Sequence, residues 1–293
     1  MFKIIKRGRI VLTMKKIDIK NKNRFIVLLI IILLVAAEFI RSNTYIQTEN
    51  FVFESSRLPE SFDGTKIVQI SDYHNHGGSY DKRLLDEISA QNPDYIFLTG
   101  DIADSICTDI EKAENFLEKI SEIAKCYLVW GNHDYDIERQ SLDDMRKCAS
   151  ENNITVLENQ FQYITKNNEK ILITGTVNQN FDYEMMEDYP ENNEFSVWLH
   201  HYPEDFEFIS DISEEKGCKA DLIFTGHAHG GLIRLPFIKG LFAPGQGFFP
   251  EYTSGEYSYN GSEMIVSRGV GNSGFTRRFL DPFHLVVCEL KKI

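Results

Sequence analysis

Five apolar, strand-like runs in this chain each stop in a cluster of side chains able to ligate a metal. The first ends Ile70-Ser71-Asp72-Tyr73-His74, and the second ends Thr99-Gly100-Asp101 with Asp104 three residues on. The third ends Trp130-Gly131-Asn132-His133-Asp134, the fourth Leu199-His200-His201-Tyr202-Pro203 and the fifth Gly226-His227-Ala228-His229. Seven of the eight histidines lie in or beside these clusters, His284 being the exception, which random placement would hardly produce. Taken singly, a strand-end histidine reads as a satisfied polar residue; five in order reverse that reading. Open α/β sheets build their sites at the carboxyl ends of strands, where loops converge without disturbing the core. The chain therefore needs a fold in which five strand ends meet. Residues i and i+2 of an extended segment share a face, so Asp72 with His74, and His227 with His229, can each present two groups to one centre.

The segments between these runs set the class. From residue 66 onward, short apolar runs alternate with stretches of helical period, giving strand, helix, strand. The clearest helix is expected over 109–125, with Ile110, Ala113, Phe116, Leu117, Ile120, Ile123 and Ala124 on one face. Another is expected near 141–150. The period then changes: ITVLEN, FQYITKN and EKILITGT read as successive strands with polar turns such as 166–170. MIVSRGV and HLVVCEL read as closing strands of a second sheet. This is an α/β chain with a βαβ rhythm and both sheet faces covered.

Carboxylate and imidazole without thiolate suit borderline divalent metals such as Mn²⁺, Fe or Zn²⁺. The donors outnumber what one ion takes, and two ions bridged by a carboxylate about 3.5–4 Å apart fit the count. The five cysteines, Cys107, Cys126, Cys148, Cys218 and Cys288, form no CxxC pair and read as small buried residues.

The net charge of −13 hides an asymmetry. Residues 1–24 hold nine Lys/Arg against Asp18 alone, a surplus of eight, which leaves −21 on the remainder. An acidic body of that size argues against nucleic acid as a partner. The basic head runs into FIVLLIIILLVAA at 25–37, extended by Phe39 and Ile40 to Arg41. This is a membrane-insertion signal, shorter than the ~20 residues a comfortable span needs. An uncleaved anchor is expected; a cleaved signal peptide ending at Val35-Ala36-Ala37 is the alternative. The positive-inside rule puts the head in the cytoplasm and the body on the outer face of the cell membrane. The organisation expected is a basic head (1–24), a membrane anchor (25–40), a stalk and first strand (41–60) and a catalytic domain (61–293), as a monomer.

Asp-x-His, Gly-Asp-x-x-Asp, Gly-Asn-His-Asp, a strand-end His and Gly-His-x-His, in that order, resemble the calcineurin-like metallophosphoesterase superfamily. GHAHGGLIRLPF, FFPEYTSGEY and VSRGVGNSGFTRRF resemble its membrane-associated bacterial branch, which includes phosphodiesterases and UDP-2,3-diacylglucosamine pyrophosphatases. The resemblance implies a four-layer αββα sandwich. It also implies that Asp72, His74 and His229 hold one metal, that Asp101 bridges, and that Asn132, His201 and His227 complete the second. The family's His-x-Pro matches His201-Tyr202-Pro203, which leaves His200 a supporting or core residue. His133 resembles the histidine that contacts phosphate and protonates the leaving group, with Asp104 and Asp134 orienting imidazoles. The implied reaction is attack of a metal-bridging hydroxide on a phosphodiester or pyrophosphate.

The remaining chemistry-bearing residues are read more plainly. His76 is expected to make a loop hydrogen bond and His284 to be structural. Gly230-Gly231 is expected to let backbone pass close to the metals. Arg234 and Arg278, with Arg268 and Arg277, are candidate phosphate contacts. The aromatic stretch 237–252 is read as core or loop packing rather than a surface meeting lipid. A phosphorylated lipid or lipid-linked sugar nucleotide leads as substrate. A soluble nucleotide or general diester is the alternative, and a metal-bound scaffold for protein partners is a further one, against which the intact His133 stands.

Overall fold

The computed structural model describes residues 19–177, 189–190, 194–217 and 219–293. Most of the basic head and Cys218 lie outside these. The described chain divides into two compact units, residues 1–40 and 41–293.

In the first unit, helix α1 (Ile19–Ser42) carries a 21-residue apolar stretch, Lys22–Ser42. Its side chains from Phe25 to Val35 are exposed. At 1.5 Å per residue that stretch is about 32 Å long, so regular helix extends on both sides of the apolar run at 25–40.

The second unit is built on twelve longer strands: β1 (Ile46–Ser55), β2 (Lys66–Ile70), β3 (Tyr95–Thr99), β4 (Lys125–Val129), β5 (Thr155–Val156), β6 (Gln160–Lys166), β7 (Glu169–Gly175), β8 (Ser196–Leu199), β9 (Leu222–Thr225), β10 (Gly255–Tyr259), β11 (Ser262–Val266) and β12 (Phe283–Lys292). Two six-stranded mixed sheets result, ordered β1-β12-β2-β3-β4-β5 and β10-β11-β9-β8-β7-β6. β2 to β5 run parallel, as do β7, β8, β9 and β11. The five ligand-bearing runs are therefore interior, parallel strands of their sheets.

Alternation along these strands sorts the core into three layers. Ile67, Phe97, Tyr127 and Val129 face Ile173, Val197, Leu199 and Phe224 between the sheets. Their neighbours Val68, Ile70, Ile96, Leu98 and Leu128 turn outward onto helices α2 (Ser79–Gln91), α3 (Ile110–Ser121) and α5 (Arg139–Glu151), the one-turn α4 (Asn132–Tyr135) coming between the last two in sequence. On the far side Trp198, Ile223 and Met264 pack under α6 (Phe206–Glu215). This is the four-layer αββα arrangement. Helix α3 starts where the Asp109 carboxylate accepts the Lys112 N–H at its N-terminus. It stops short of the expected residue 125, because Lys125 already opens β4.

Two expectations change. HLVVCEL does not close the second sheet: β12 is inserted in the first, antiparallel to β2 and parallel to β1. Val286, Cys288 and Leu290 enter the inter-sheet core while Leu285 and Val287 meet the helices, so both faces are apolar, as an interior strand requires. Residues 41–60 are drawn into the domain, because β1 pairs with β12 along its whole length and sends Phe51 and Phe53 inward. Of the described cysteines, Cys126 and Cys288 are buried, whereas Cys107 is exposed on a loop.

Phe97 and Phe224 meet edge-to-face across the sheets with ring centroids 5.4 Å apart. Phe97→Ala would leave a cavity where the two strand sets are tied together. A loss of about 3–5 kcal/mol in equilibrium denaturant unfolding is expected; an unchanged midpoint would contradict the inter-sheet placement.

Candidate metal centre

The strand ends are brought together by hydrogen bonds just before the ligands. Gln69 Nε2 donates to Thr99 Oγ1 (2.9 Å) and across the sheets to the Thr225 carbonyl (2.8 Å). Beyond that point the backbone leaves the strand direction. Asp72, His74, Asp101, His227 and His229 have φ of 55, 50, 55, 63 and 46°. The i, i+2 pairs thus do not share a centre by strand alternation, as expected from sequence; left-handed kinks aim each side chain separately. A non-glycine residue held there costs on the order of 1–3 kcal/mol, so the surrounding packing has to enforce it. Part of that packing is the closeness of neighbouring loops. A Cβ on Gly131 would collide with the Asp101 carboxylate, and one on Gly226 with Ser71 Oγ.

Two groups of donors result, meeting at Asp101. Asp72, His74, Asp101 and His229 place one ligand atom each within 4.8 Å of one another, and so do Asp101, His201 and His227. In the first group His74 Nε2 lies 3.3 Å from His229 Nε2 and 3.7 Å from Asp101 Oδ2, and His229 Nε2 lies 3.5 Å from Asp72 Oδ1. In the second, His201 Nε2 lies 3.2 Å from Asp101 Oδ2 and 3.2 Å from His227 Nδ1. Both imidazole pairs bring ring nitrogens together, an arrangement that needs a proton or a cation between them.

The hydrogen bonds around the centre say which. His201 Nδ1 donates to the Thr99 carbonyl at 2.7 Å, so Nε2 is the atom that faces Asp101 and offers a lone pair to a cation once its own proton has left. Asp101 Oδ2 and Asn132 Oδ1 are buried oxygens with no hydrogen-bond partner. Buried oxygens are normally paired, and these two lie on the arms that present the imidazoles. The Asp101 oxygen, without a donor among clustered imidazole nitrogens, fits a pair of divalent cations with Asp101 between them.

Electrostatics agree. Burial opposes charge on His201, but Asp101 beside it outweighs burial and holds its pKa up to about 10. Asp101 is held below the usual carboxylate range: burial works against this, and His201 and His74 overcome it. His227 is pushed down to about 3 by burial and by His201.

His133 sits at the rim, half-buried, its ring edge-on to His74 with centroids 4.8 Å apart. The Ser105 backbone N–H lies 3.2 Å from His133 Nδ1 and can only donate, so in the neutral ring the proton sits on Nε2. Nε2 in turn lies 3.3 Å from Ser273 Oγ. The His133 N–H donates to Asp101 Oδ1 at 2.9 Å, tying this residue to the centre.

Other expected residues take other places. Asp104 Oδ2 lies 3.2 Å from His74 Nδ1 and accepts the Gly274 N–H, so it orients an imidazole of the metal group. Asp134 touches no imidazole; it accepts the N–H groups of Ile102, Ala103 and Gly131 and pins two loops together. Burial, with Asp101 nearby, raises its pKa to about 7. His200 lies between Thr176 Oγ1 and Asp205 Oδ2, away from the donor groups. Arg278, expected at substrate, is wholly buried; it donates to the Gly271 carbonyl and Asn272 Oδ1, and its Nη2 lies 3.0 Å from His229 Nδ1. Arg234 is half-buried and spends Nη1 on the Gly230 carbonyl and Thr253. Gly230 makes room for the Asp281 carboxylate and Gly231 for Gly240, rather than for metals. His76 stacks on Tyr80 with centroids 3.9 Å apart, and His284 Nε2 meets Glu49 Oε2 at 3.0 Å. Ser105 and Ser273, which hold His133, carried no sequence signal beyond lying near the second motif and in the glycine-rich tail.

A cation entering the second group must displace the proton shared by His201 and Asp101. Because the raised pKa of His201 keeps that proton bound until about 10, Mn²⁺ affinity should rise with pH across 6–9. Calorimetric titration in buffers of different ionisation enthalpy should show proton release on binding; a pH-independent affinity with no released proton would contradict this geometry.

Residues 65–231, which contain all five ligand-bearing loops, match the calcineurin-like phosphoesterase family. The chain is 30% identical over 255 residues to the metallophosphoesterase YkuE of Bacillus subtilis, covering 84% of this chain and 86% of that one. It is 27% identical over 183 residues to the phosphodiesterase YaeI of Escherichia coli, covering 62% and 65%. It is 25% identical over 294 residues to the UDP-2,3-diacylglucosamine pyrophosphatase LpxG of Chlamydia muridarum, covering 80% and 86%. The chain therefore belongs to the calcineurin-like phosphoesterase family and is a metal-dependent phosphohydrolase.

Proposed function

We propose that this enzyme is a membrane-anchored phosphohydrolase with two divalent ions that cleaves a phosphodiester or pyrophosphate in a lipid or lipid-linked sugar nucleotide. The observation that carries the metal assignment is the unpartnered Asp101 Oδ2 between the two imidazole groups. In this reading Asp72, His74 and His229 hold one ion, Asn132, His201 and His227 hold the other, and Asp101 bridges. Mn²⁺, Fe or Zn²⁺ suits such oxygen and nitrogen donors. When bound, the ions supply Lewis acidity toward phosphoryl oxygens and lower the pKa of water to near neutrality.

The chain's own residues do the rest. As an imidazolium, with Nδ1–H held by Ser105 Oγ at 2.8 Å, His133 can pass its Nε2 proton to a leaving oxygen and end as the neutral ring. The bond from the His133 N–H to Asp101 sets where that ring stands relative to the donor groups. Asp104 keeps His74 oriented, and Arg278 does the same for His229. Two cations held by these imidazoles and carboxylates would suit a substrate with negative charge on its phosphoryl oxygens.

The lipid side of the proposal rests on α1, an exposed apolar helix long enough to cross a bilayer, and on the basic residues before it. Positive-inside orientation then puts the catalytic domain on the extracytoplasmic face. The similarity to LpxG favours a lipid-linked pyrophosphate among substrates, and the similarity to YaeI a phosphodiester.

In detergent with Mn²⁺, the full chain is expected to hydrolyse bis(p-nitrophenyl) phosphate. His133→Ala should lower kcat by about 10²–10⁴-fold while retaining bound metal. Undiminished turnover in that variant would sink the assignment of His133 as the acid.

A further inference from the structure

Between the fifth ligand arm and β10 the chain makes an excursion over residues 233–252, of which the aromatic stretch 237–252 was expected to pack as core or loop. Instead it exposes its apolar side chains. Phe237 is 106% exposed, Phe248 71%, Phe249 65% and Ile238 48%. These are not loose ends. Two short hairpins, 234–235 with 239–240 and 242–243 with 247–248, hold the tips, and Leu241 links them, its N–H donating to the Ile233 carbonyl and its carbonyl accepting the Phe249 N–H. Exposed apolar groups fixed in this number on one excursion mark a surface that meets another apolar phase.

Three features say which phase. The excursion frames the metal centre: Gly240 packs on Gly231, two residues past His229, and Gly245 packs on Glu204, three residues past His201. It is also tied to the point where the chain leaves α1. Asn43 exchanges hydrogen bonds with the backbone N–H and carbonyl of Arg278, and the carbonyl of the next residue, Phe279, accepts the Arg234 N–H. Phe237, three residues further, has its Cα within roughly 11 Å of that of Arg234. Exposed Lys239, next to Ile238 within the first hairpin, adds a cation at the tips on an acidic body, as suits anionic headgroups.

We propose that Phe237, Ile238, Phe248 and Phe249 seat in the interfacial layer of the bilayer that holds α1, so that the metal centre opens onto the membrane surface and takes its substrate from the lipid phase. This rests on the anchor assigned above and adds to it a second membrane contact, made by the domain's own aromatic tips.

The full chain is reconstituted in phosphatidylglycerol/phosphatidylcholine vesicles whose acyl chains are brominated, with Phe237→Trp and Phe249→Trp as separate reporters. Trp130 and Trp198 are fully buried and give a constant background in the parent protein. Each reporter is expected to shift to the blue and lose at least half its added emission to bromine, while Tyr163→Trp, on β6, is not quenched. Solvent-like, unquenched reporters on protein that floats with the vesicles would overturn the docking while leaving the anchor standing; protein that fails to float and is unquenched would overturn both. A blue shift that grows with protein concentration in lipid-free detergent, without quenching in vesicles, would assign the surface to a second copy of the chain and overturn the proposal. The combined Phe237→Ser, Phe248→Ser and Phe249→Ser variant should lose at least tenfold in turnover of a phosphodiester lipid presented in the vesicles and less than twofold on bis(p-nitrophenyl) phosphate. Equal losses on both substrates would overturn the docking. If the parent hydrolyses neither substrate the phosphohydrolase assignment falls, and quenching still decides where the aromatic tips lie.

Discussion

The Asp101 carboxylate is 1% exposed and lies between two imidazole groups. Its Oδ1 is occupied by the His133 N–H, while Oδ2 faces His201 and His74 with no hydrogen-bond donor. Burying an ionised carboxylate is strongly unfavourable unless positive charge is placed against it. That requirement shapes its neighbourhood. His201 is fixed with Nε2 toward Asp101, Gly131 is bare so that the carboxylate fits, and Asp104 and Asp134 hold the loops that carry the other arms. In the function proposed above, metal ligation and catalysis share the residue, because the same carboxylate accepts the His133 N–H.

The two-sheet architecture is what allows this. Parallel interior strands in each sheet deliver their carboxyl ends to one edge, and the inter-sheet core keeps those edges together. Gln69, bonded to both sheets directly below the ligands, is the last crosslink before the loops open. The left-handed backbone at five ligand positions is tolerable only because this rigid support over-determines it.

The parts of the structure legible in the sequence were those with a repeating physical signature. Apolar runs closed by His, Asp and Asn named the five arms, and helical period located α3 and α5. What was not legible depended on partners distant in sequence. Arg278 reads as an exposed phosphate contact until Asn272, Gly271 and His229 are seen to enclose it. Asp134 reads as an imidazole partner until its oxygens are found on three backbone N–H groups. The pairing of β1 with β12 joins residues some 235 apart, so no local pattern could place HLVVCEL beside the stalk rather than in the second sheet. Ser105 and Ser273 have no distinguishing composition; only the fold brings them to His133. The aromatic excursion misled for a simpler reason, since hydrophobic residues are usually inside and the sequence does not say which side of a hairpin they take.

The proposed chemistry depends on two cations sharing Asp101. A crystal structure of the protein grown with Mn²⁺, with anomalous data collected near the manganese edge, addresses it directly. Two anomalous peaks about 3.5–4 Å apart are expected, with Asp101 Oδ2 between them, His74 and His229 on one and His201 and His227 on the other. A single peak, or two peaks without Asp101 between them, would contradict it.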